Sequence, residues 1–253
     1  MSGERVFKYV GTRPIRHDGL DKVTGRANYG ADFTLPGLLH GYVLRSPYAH
    51  ARIMSIDTSV ADAMPGVKAV ITGADIPKTT GVVLLGEEGR YDLRDMGDNL
   101  LAHDTALYEG HAVAAVAATS VEIARNAAER IIVHYENLPP VLTVDQALAP
   151  GATILHDGLV TKGQPLPDAP TRTNIAMRTE LRRGDVDKGF TESDIIVERQ
   201  FTTPMVHQGY IEPHACVARY GEDGQILVWT STQGQFIVRD CCAGILGVDA
   251  ATI

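Results

Sequence analysis

The clearest periodic pattern of apolar and polar residues lies in the middle of the chain. Small apolar residues from His111 to Ala117 predict a strand. Thr119, followed by Glu122 three positions later, has the spacing of a capping box and predicts the start of a helix. The apolar residues of this helix recur at helical spacing and form one stripe: Ala124, Ala127, Ala128 and Ile131. Ile131–Val133 then leads into a second strand that Pro139 ends, which completes a strand–helix–strand unit.

Further strands are predicted before this unit. The segment Leu38–Ile56 contains two apolar runs separated by Ser46 and Pro47, which predicts a hairpin or strand pair. The short β-branched run Val67–Ile71 predicts another strand. Residues 81–99 are rich in Gly, Asp and Arg without a clear period, so we expect an irregular surface loop there.

The second half of the chain opens with a segment that has no apolar period. Residues 158–173 contain three prolines and are expected to form a linker. Ile195–Phe201 and Ile226–Thr232 predict strands, so the region after the linker should begin β-rich, and some of its apolar surface should be exposed. Phe236–Gly247 predicts a helix that the glycine ends. Its inward-facing residues are Val238, Cys241, Cys242 and Ile245.

Charge and hydropathy narrow the possible partners of this 253-residue chain. Twenty-three basic residues against 31 acidic ones give a net charge of −8, the wrong sign for a phosphate backbone. The longest weakly polar stretch, Ala112–Ala118, is much shorter than the ~20 residues of a membrane-spanning helix. We therefore expect neither a nucleic-acid partner nor a membrane partner.

The cysteines indicate a reducing compartment. There are three, Cys216, Cys241 and Cys242, and a bridge between the two adjacent ones would be strained. This usage is typical of a cytoplasmic protein. Because the sequence contains no C-x-x-C pair, we expect no zinc or iron–sulfur site held by this chain alone.

The segment Thr230–Phe236 is a candidate binding site. A strand that runs through Ser, Thr, Gln and Gly into a helix leaves backbone N–H groups and side-chain donors at the helix N-terminus, where an anionic or polar group can bind. Gly234 permits close approach of a ligand to the backbone. The alternative is that Thr230, Ser231 or Thr232 only caps the helix.

The segment Val206–Cys216 concentrates polar side chains. If it is a strand, Gln208, Glu212 and His214 share one face and His207 points away. Such a face could hydrogen-bond a polar ligand, hold a metal through carboxylate and imidazole, or form a buried network between sheets.

Several longer motifs follow one another in an order that is specific for a protein family. They are DKVTGRANY (21–29), LPGLLHG (35–41), LRSPYAHARI (44–53), EGHAVAAVAATSVEIARNAAERIIVHYENLPPV (109–141), LRRGDVDKGF (181–190), GYIEPHACVA (209–218) and TSTQGQFIVRDCCAGILGV (230–248). Together they resemble the beginning of the molybdopterin-binding large subunit of the xanthine dehydrogenase and aldehyde oxidase family, the molybdenum hydroxylases. The resemblance covers nearly everything from Val10 onward.

This resemblance implies an α+β fold in which an α/β hammerhead domain is followed by the beginning of a β-rich, α+β molybdopterin-binding domain. The implied division is an N-terminal arm (1–19), the hammerhead domain (20–150), a linker (151–173) and an incomplete molybdopterin-binding domain (174–253).

The resemblance also implies a reaction and its cofactors. Members of the family hydroxylate heterocycles, aldehydes or aromatic compounds with oxygen from water. The implied cofactor is molybdopterin, with its cytosine dinucleotide form as one option, and iron–sulfur and FAD groups are expected on partner subunits. The expected partners are the remainder of the large subunit, the iron–sulfur and flavin subunits and a small organic substrate. The family's general base is expected after Ile253, so no catalytic residue and no metal ligand is assigned here.

Four residues match the family's Thr-Gln segment near the cofactor. They are Gln233, Gly234, Gln235 and Phe236, which the resemblance implies to be cofactor-binding.

The resemblance further implies roles in the segment before Cys216. Glu212 and His214 match a Glu-x-His element and are expected to support the pocket structurally. The family often has a glutamine where this chain has Val206. Either Gln208 replaces that glutamine through a shifted strand, or the contact is lacking.

Three functions remain open from the sequence. The first is part of a molybdenum-dependent oxidoreductase, and the second is a non-catalytic module that assembles such a complex. The third is a metal-dependent hydrolase built on Glu212 and His214. Because residues 248–253 begin a new apolar segment, we expect the chain to be a piece of something larger or to be completed by a partner.

Overall fold

The computed structural model describes residues 7–84, 90–157, 159, 161–163 and 173–253. They divide into two units that are discontinuous in sequence. The smaller unit contains the residues up to Leu38 together with Tyr210–Ala243 and Val248–Ile253, and the larger contains Leu39–Gly209 and Gly244–Gly247. The predicted domain limits stay predictions, and much of the predicted linker lies outside the described residues.

The described residues form helices and mainly antiparallel sheets, which confirms the α+β class. The helices are α1 (Gly19–Val23), α2 (Ser59–Asp62), α3 (Leu93–Leu100), α4 (Val121–Ala128), α5 (Val144–Leu148), α6 (Val186–Glu192) and α7 (Gln235–Leu246). The strands are β1 (His40–Arg45), β2 (Ala51–Asp57), β3 (Val67–Thr72), β4 (Val82–Leu84), β5 (Arg90–Asp92), β6 (Thr105–Ala106), β7 (Ala112–Ala118), β8 (Ile132–Asn137), β9 (Lys162–Gly163), β10 (Met177–Arg178), β11 (Cys216–Tyr220) and β12 (Ile226–Thr230). Within the described ranges, no helix has the length and apolar character needed to cross a membrane.

Strand β7 is the centre of a three-stranded antiparallel sheet in the larger unit. Strands β1 and β3 pair with its two edges, and His40 and Val67 both lie opposite Ala118. The strands predicted from residues 67 and 111 are therefore confirmed, with ends shifted by one residue.

Helix α4 packs on this sheet through alanines. Its predicted stripe is buried: Ala124, Ala127 and Ala128 are inaccessible and Ile131 is 7% exposed. They form one core cluster with the small residues of β7 that face them, Ala114, Val116 and Ala118. The helix is thus confirmed, but its predicted cap at Thr119 is wrong by one residue. Ser120 has the extended backbone of an N-cap, and its Oγ accepts the Ile123 N–H at 3.2 Å.

The hairpin predicted for Leu38–Ile56 is wrong, although both of its strands form. Strand β2 is the centre of a second antiparallel sheet, ordered β6-β2-β8, whereas β1 pairs with β7. Between β1 and β2, the Ser46 N–H donates to the His111 carbonyl at 2.8 Å, and the Ser46 carbonyl accepts the Gly110 N–H at 2.8 Å. The Ser46 backbone therefore lies beside the start of β7. Pro47 has no N–H group, so it cannot donate the hydrogen bond that would begin a hairpin.

The irregular loop predicted for residues 81–99 is also wrong in its described part. Strands β4 and β5 pair there, and α3 begins after Asp92, whose carboxylate accepts the Arg94 N–H at 2.9 Å. Leu93 and Gly97 of this short polar helix are buried. Its eight residues give too few apolar positions for a periodic signal. Residues 85–89 lie outside the described part.

No strand forms at Ile195–Phe201, contrary to the prediction. A strand needs a neighbour for its backbone hydrogen bonds, and this described segment is assigned none. The expected exposure of apolar side chains in this region is confirmed. Between residues 195 and 206, five of them are more than 70% exposed: Ile195, Val197, Phe201, Met205 and Val206.

The smaller unit contains the β11–β12 hairpin and most of α7. Its strand and helix confirm the predictions for Ile226–Thr232 and Phe236–Gly247. Gly247 ends the helix at φ 68°, a left-handed conformation that favours glycine. Cys241 and Cys242 are half-buried on this helix.

A buried histidine ties α3 to the start of β7. The His111 side chain is inaccessible, its Nδ1 accepts the Leu107 N–H at 3.2 Å, and its Nε2 donates to the Asp98 carbonyl at 3.1 Å. The ring stacks on Tyr108 with centroids 4.5 Å apart. Burial lowers the pKa of His111 below its usual 6.5, although the Asp98 and Asn99 carbonyls oppose this shift. The neutral ring is therefore the folded form.

We expect Ala127→Leu to lower the free energy of unfolding by about 1–3 kcal/mol, because three added carbons have no space between α4 and β7. Asn126→Leu is the control, since position 126 is exposed on the same helix and should change stability by less than about 0.5 kcal/mol. Urea denaturation measures both variants. An equal decrease in the free energy of unfolding in both variants would contradict close packing at Ala127.

Stability should fall as the pH is lowered below about 6.5, because the unfolded chain then binds a proton that the folded His111 resists. The contribution is complete above pH 6.5 and is lost as the pH falls through the lower folded pKa. His111→Gln should have lower stability at neutral pH and a flatter pH dependence. An unchanged slope in urea denaturations between pH 5 and 8 would assign the dependence to other groups.

Candidate functional site

The corner between β12 and α7, residues Ser231–Gly234, is tied to the segment before β11. The Ser231 Oγ donates to the Pro213 carbonyl at 3.4 Å, and the Ser231 N–H donates to the Ala215 carbonyl at 3.4 Å. The corner and the segment that contains Glu212 and His214 are therefore neighbours in the smaller unit. The two candidate segments, which are separate in the sequence, are thus adjacent in the structure.

Within the corner, a hydroxyl turn fixes the backbone before the helix. The Thr232 Oγ1 accepts the Gly234 N–H at 3.0 Å, which agrees in part with the capping alternative. The side chains of Gln233 and Gln235 remain exposed, and Phe236 is 64% exposed. Both amides are consequently accessible to a ligand.

The electrostatics of the corner favour a ligand with acceptor oxygens. Helix α7 is 12 residues long and has no acidic residue in its first turn. Its first N–H groups have no partner within the helix, and the helix dipole adds partial positive charge there. Further along the helix, Arg239 donates to Asp240 at 2.7 Å, and its guanidinium lies over the Phe236 ring. Amide donors, the first N–H groups of the helix and a small Gly234 suit a ligand that carries phosphate or carbonyl oxygens.

Gly30 is a residue of this site that the sequence reasoning missed. A Cβ atom at Gly30 would lie 2.8 Å from the Ala215 carbonyl oxygen and 3.4 Å from the Ser231 Oγ. Nearby, the Phe33 ring packs against Trp229 of β12 with centroids 5.5 Å apart. Residues of the N-terminal segment thus pack against the corner and against β12. Gly30 directly follows the motif that ends at Tyr29, and that position was the available signal.

The segment of Glu212 and His214 does not have the geometry predicted for it. Residues 206–215 form no strand, so the shared face predicted for Gln208, Glu212 and His214 is wrong. His214 and Glu212 are exposed, and the His214 ring stacks on Tyr210 with centroids 4.2 Å apart and a Tyr210 Oη to His214 Nδ1 distance of 3.4 Å. Gln208 is exposed in the larger unit, and its role at the pocket stays a prediction.

Two other possible binding sites among the described residues, a metal centre and an acidic cleft in the larger unit, are less suited to this kind of ligand. Among the described residues, no group of three His, Cys, Asp or Glu side chains is placed to hold a metal ion. A cleft of about 520 Å³ in the larger unit is lined by acidic residues, a His pair and Arg94. Its carboxylates are Asp92, Asp95, Asp98, Asp104 and Asp157. Their charge would repel a phosphate-bearing cofactor.

Two families match the sequence. Residues 24–139 match the a/b hammerhead domain of aldehyde oxidase and xanthine dehydrogenase. Residues 168–253 match the molybdopterin cofactor-binding domain. The corner lies inside the second match.

Relatives and solved structures agree with these matches. The chain is 31% identical over 242 residues to the nicotinate dehydrogenase large molybdopterin subunit of Eubacterium barkeri, covering 96% of this chain and 52% of that protein. It is 32% identical over 253 residues to the carbon monoxide dehydrogenase large chain of Afipia carboxidovorans, covering 98% and 30%. Quinoline 2-oxidoreductase from Pseudomonas putida 86 superposes with a TM-score of 0.80 at 34% identity, covering 96% and 29%. The chain thus spans about half or less of the length of these proteins.

We expect Gly30→Ala to lower the free energy of unfolding by about 1–3 kcal/mol, because the new methyl group meets the Ala215 backbone. Hydrogen exchange at the Ser231 amide should accelerate, since its acceptor must move. Gly41→Ala is the matched control, because a Cβ there has no atom within 4 Å. If Ser231 exchange is unchanged in Gly30→Ala, the support assigned to Gly30 is wrong.

Proposed function

Because the chain belongs to the xanthine dehydrogenase and aldehyde oxidase family, we propose that it supplies the hammerhead domain and part of the molybdopterin pocket of a molybdenum-dependent oxidoreductase. The observation that carries this proposal is the corner at Ser231–Gly234, which lies inside the cofactor-domain match and offers donors without an acidic neighbour in the first helical turn. When bound, molybdopterin supplies a molybdenum centre that accepts electrons from the substrate while oxygen comes from water.

The chain's own residues would bind and orient the cofactor. The Gln233 amide can donate to an acceptor oxygen, and Gly234 lets the ligand approach the backbone. The N–H groups of Gln235 and Phe236, at the start of α7, point toward the same end of the helix and favour negative charge. Glu212 and His214 support the pocket from the neighbouring segment, and Gln208 is a further candidate for cofactor contact.

The names of the relatives support a proposal for the substrate class. Their names include dehydrogenases or oxidoreductases of nicotinate, quinoline and carbon monoxide. We place the substrate of this protein among heterocycles, aldehydes or aromatic compounds. No catalytic residue is assigned within the chain, so the isolated 253 residues are expected to be inactive.

The remainder of the large subunit is the main proposed partner. The apolar side chains of residues 195–206 are exposed, and exposed apolar surface of this kind is typical of an interface. Iron–sulfur and flavin subunits, the cytosine dinucleotide form of the cofactor and a cytoplasmic location complete the proposal. Each of these stays a prediction.

The second candidate function is a non-catalytic module that assembles the complex through the same exposed surface. It differs from the first because it requires no contact with the cofactor. The hydrolase alternative is weaker, since Glu212 and His214 are exposed without a third ligand among the described residues.

We expect the complete protein that contains this chain, made in a host that synthesises molybdopterin, to carry molybdenum and pterin. Gln233→Ala should weaken cofactor retention by about 2- to 10-fold, the effect of losing one hydrogen bond. Gln225→Ala is the control, because Gln225 is exposed in the turn between β11 and β12. Metal analysis and pterin fluorescence after extraction measure both variants.

A folded assembly without molybdenum and pterin would favour the assembly module. Equal retention in Gln233→Ala and the control would remove Gln233 from the pocket. A stoichiometric divalent ion that Glu212→Ala abolishes would favour the hydrolase.

A further inference from the structure

The hairpin register and the groove between β12 and α7 relate Cys216, at the start of β11, to Cys242 in α7. Cys216 lies directly opposite Thr230 in the hairpin, and residues opposite each other project to the same face of the sheet. Thr230 and Cys242 both line a groove of about 280 Å³ between β12 and α7. The register therefore places Cys216 on the face that carries the helix.

The opposite face of the hairpin packs against the N-terminal segment of the chain. Val217 pairs with Trp229, and the Trp229 ring packs against Phe33. The alternation of side chains along a strand then assigns Cys216 to the α7 side.

The electrostatics agree with this placement. Burial raises the pKa of Cys242, and the Cys216 thiol raises it further. Both thiols are free. Cys216 is exposed and Cys242 is half-buried, so an oxidant reaches Cys216 first.

We propose that Cys216 and Cys242 form a disulfide when the protein meets a peroxide. Peroxide oxidises the Cys216 thiol to a sulfenic acid and is itself reduced, releasing one water. The Cys242 sulfur then attacks the Cys216 sulfur, the S–O bond breaks, and a second water leaves with the thiol proton. The resulting bridge joins the start of β11 to the middle of α7.

Cys241 is a less suitable partner for Cys242. Adjacent residues on a helix project about 100° apart, and a bridge between neighbours in sequence is strained. Cys241 is therefore the internal control for the assignment.

The bridge would limit movement at the corner between the two elements. Ser231–Gly234 connects β12 to α7, and its Ser231 hydrogen-bonds to Ala215, the neighbour of Cys216. Oxidation would consequently hold α7 at a fixed distance from the hairpin, whether or not a cofactor is bound. This inference is independent of the proposed function.

The test treats the full 253-residue chain, at a concentration low enough to limit contact between molecules, with hydrogen peroxide and then blocks remaining thiols. Trypsin cuts after Arg199, Arg219 and Arg239, so Cys216 and Cys242 fall in different peptides, 200–219 and 240–253. Mass spectrometry without reductant should find these two peptides joined, two hydrogens lighter than their sum. The joined species should also form in Cys241→Ser and disappear in Cys216→Ser and Cys242→Ser.

Circular dichroism checks that each variant is folded. Persistence of the 200–219 to 240–253 link in Cys242→Ser but not in Cys241→Ser would assign the bridge to Cys241 and overturn the proposal. Links found only in covalent dimers, or Cys216 oxidised to sulfinic acid without any link, would also overturn it.

Discussion

The larger unit depends on how closely α4 approaches β7. Alanine is the residue on both surfaces at most contact points, so each methyl group is packed against backbone and other methyl groups rather than against long side chains. Such an interface contributes through close packing of many small contacts, and it tolerates little added volume. Strands β1 and β3 are held in place because both pair with this central strand. The second sheet is linked to this core because β8 follows α4 in the chain and pairs with β2.

The structure of the smaller unit depends on a different contact, in which three segments of the chain approach one another closely. Gly30, Ala215 and Ser231 meet at distances that a larger residue at position 30 would prevent. That contact places the N-terminus of α7 and its exposed amides at one end of the β11–β12 hairpin. The chemistry proposed for the corner therefore depends on a packing contact behind it. The larger unit exposes apolar side chains between Ile195 and Val206, and the chain covers 52% and 30% of the two relatives compared with it.

Local signals in the sequence were sufficient where an element is defined by its own periodicity or termini. The stripe from Ala124 to Ile131 and the glycine after α7 are examples, and the motifs along the chain indicated the family that the comparisons support. Contacts distant in sequence were not accessible in this way. The residues of β7 that pair with β1 lie 67 to 78 residues further along the chain, and nothing in Leu38–Ile56 distinguishes that pairing from a hairpin. At the site, Gln233 could be selected from its motif, but the hydrogen bonds of Ser231 to Pro213 and Ala215 depend on tertiary structure. The strand expected at Ile195–Phe201 illustrates the opposite error, because β propensity cannot supply a missing neighbour.

We propose that the corner between β12 and α7 lies against the pterin cofactor in the complete protein. Hydrogen–deuterium exchange can test this directly by comparing the complete protein from a host that makes molybdopterin with the same protein from a host that does not. We expect slower exchange of the amides of residues 233–237 when cofactor is present, with little change in β7 and α4. Equal exchange of the corner in both samples, with cofactor shown to be bound, would contradict the claim.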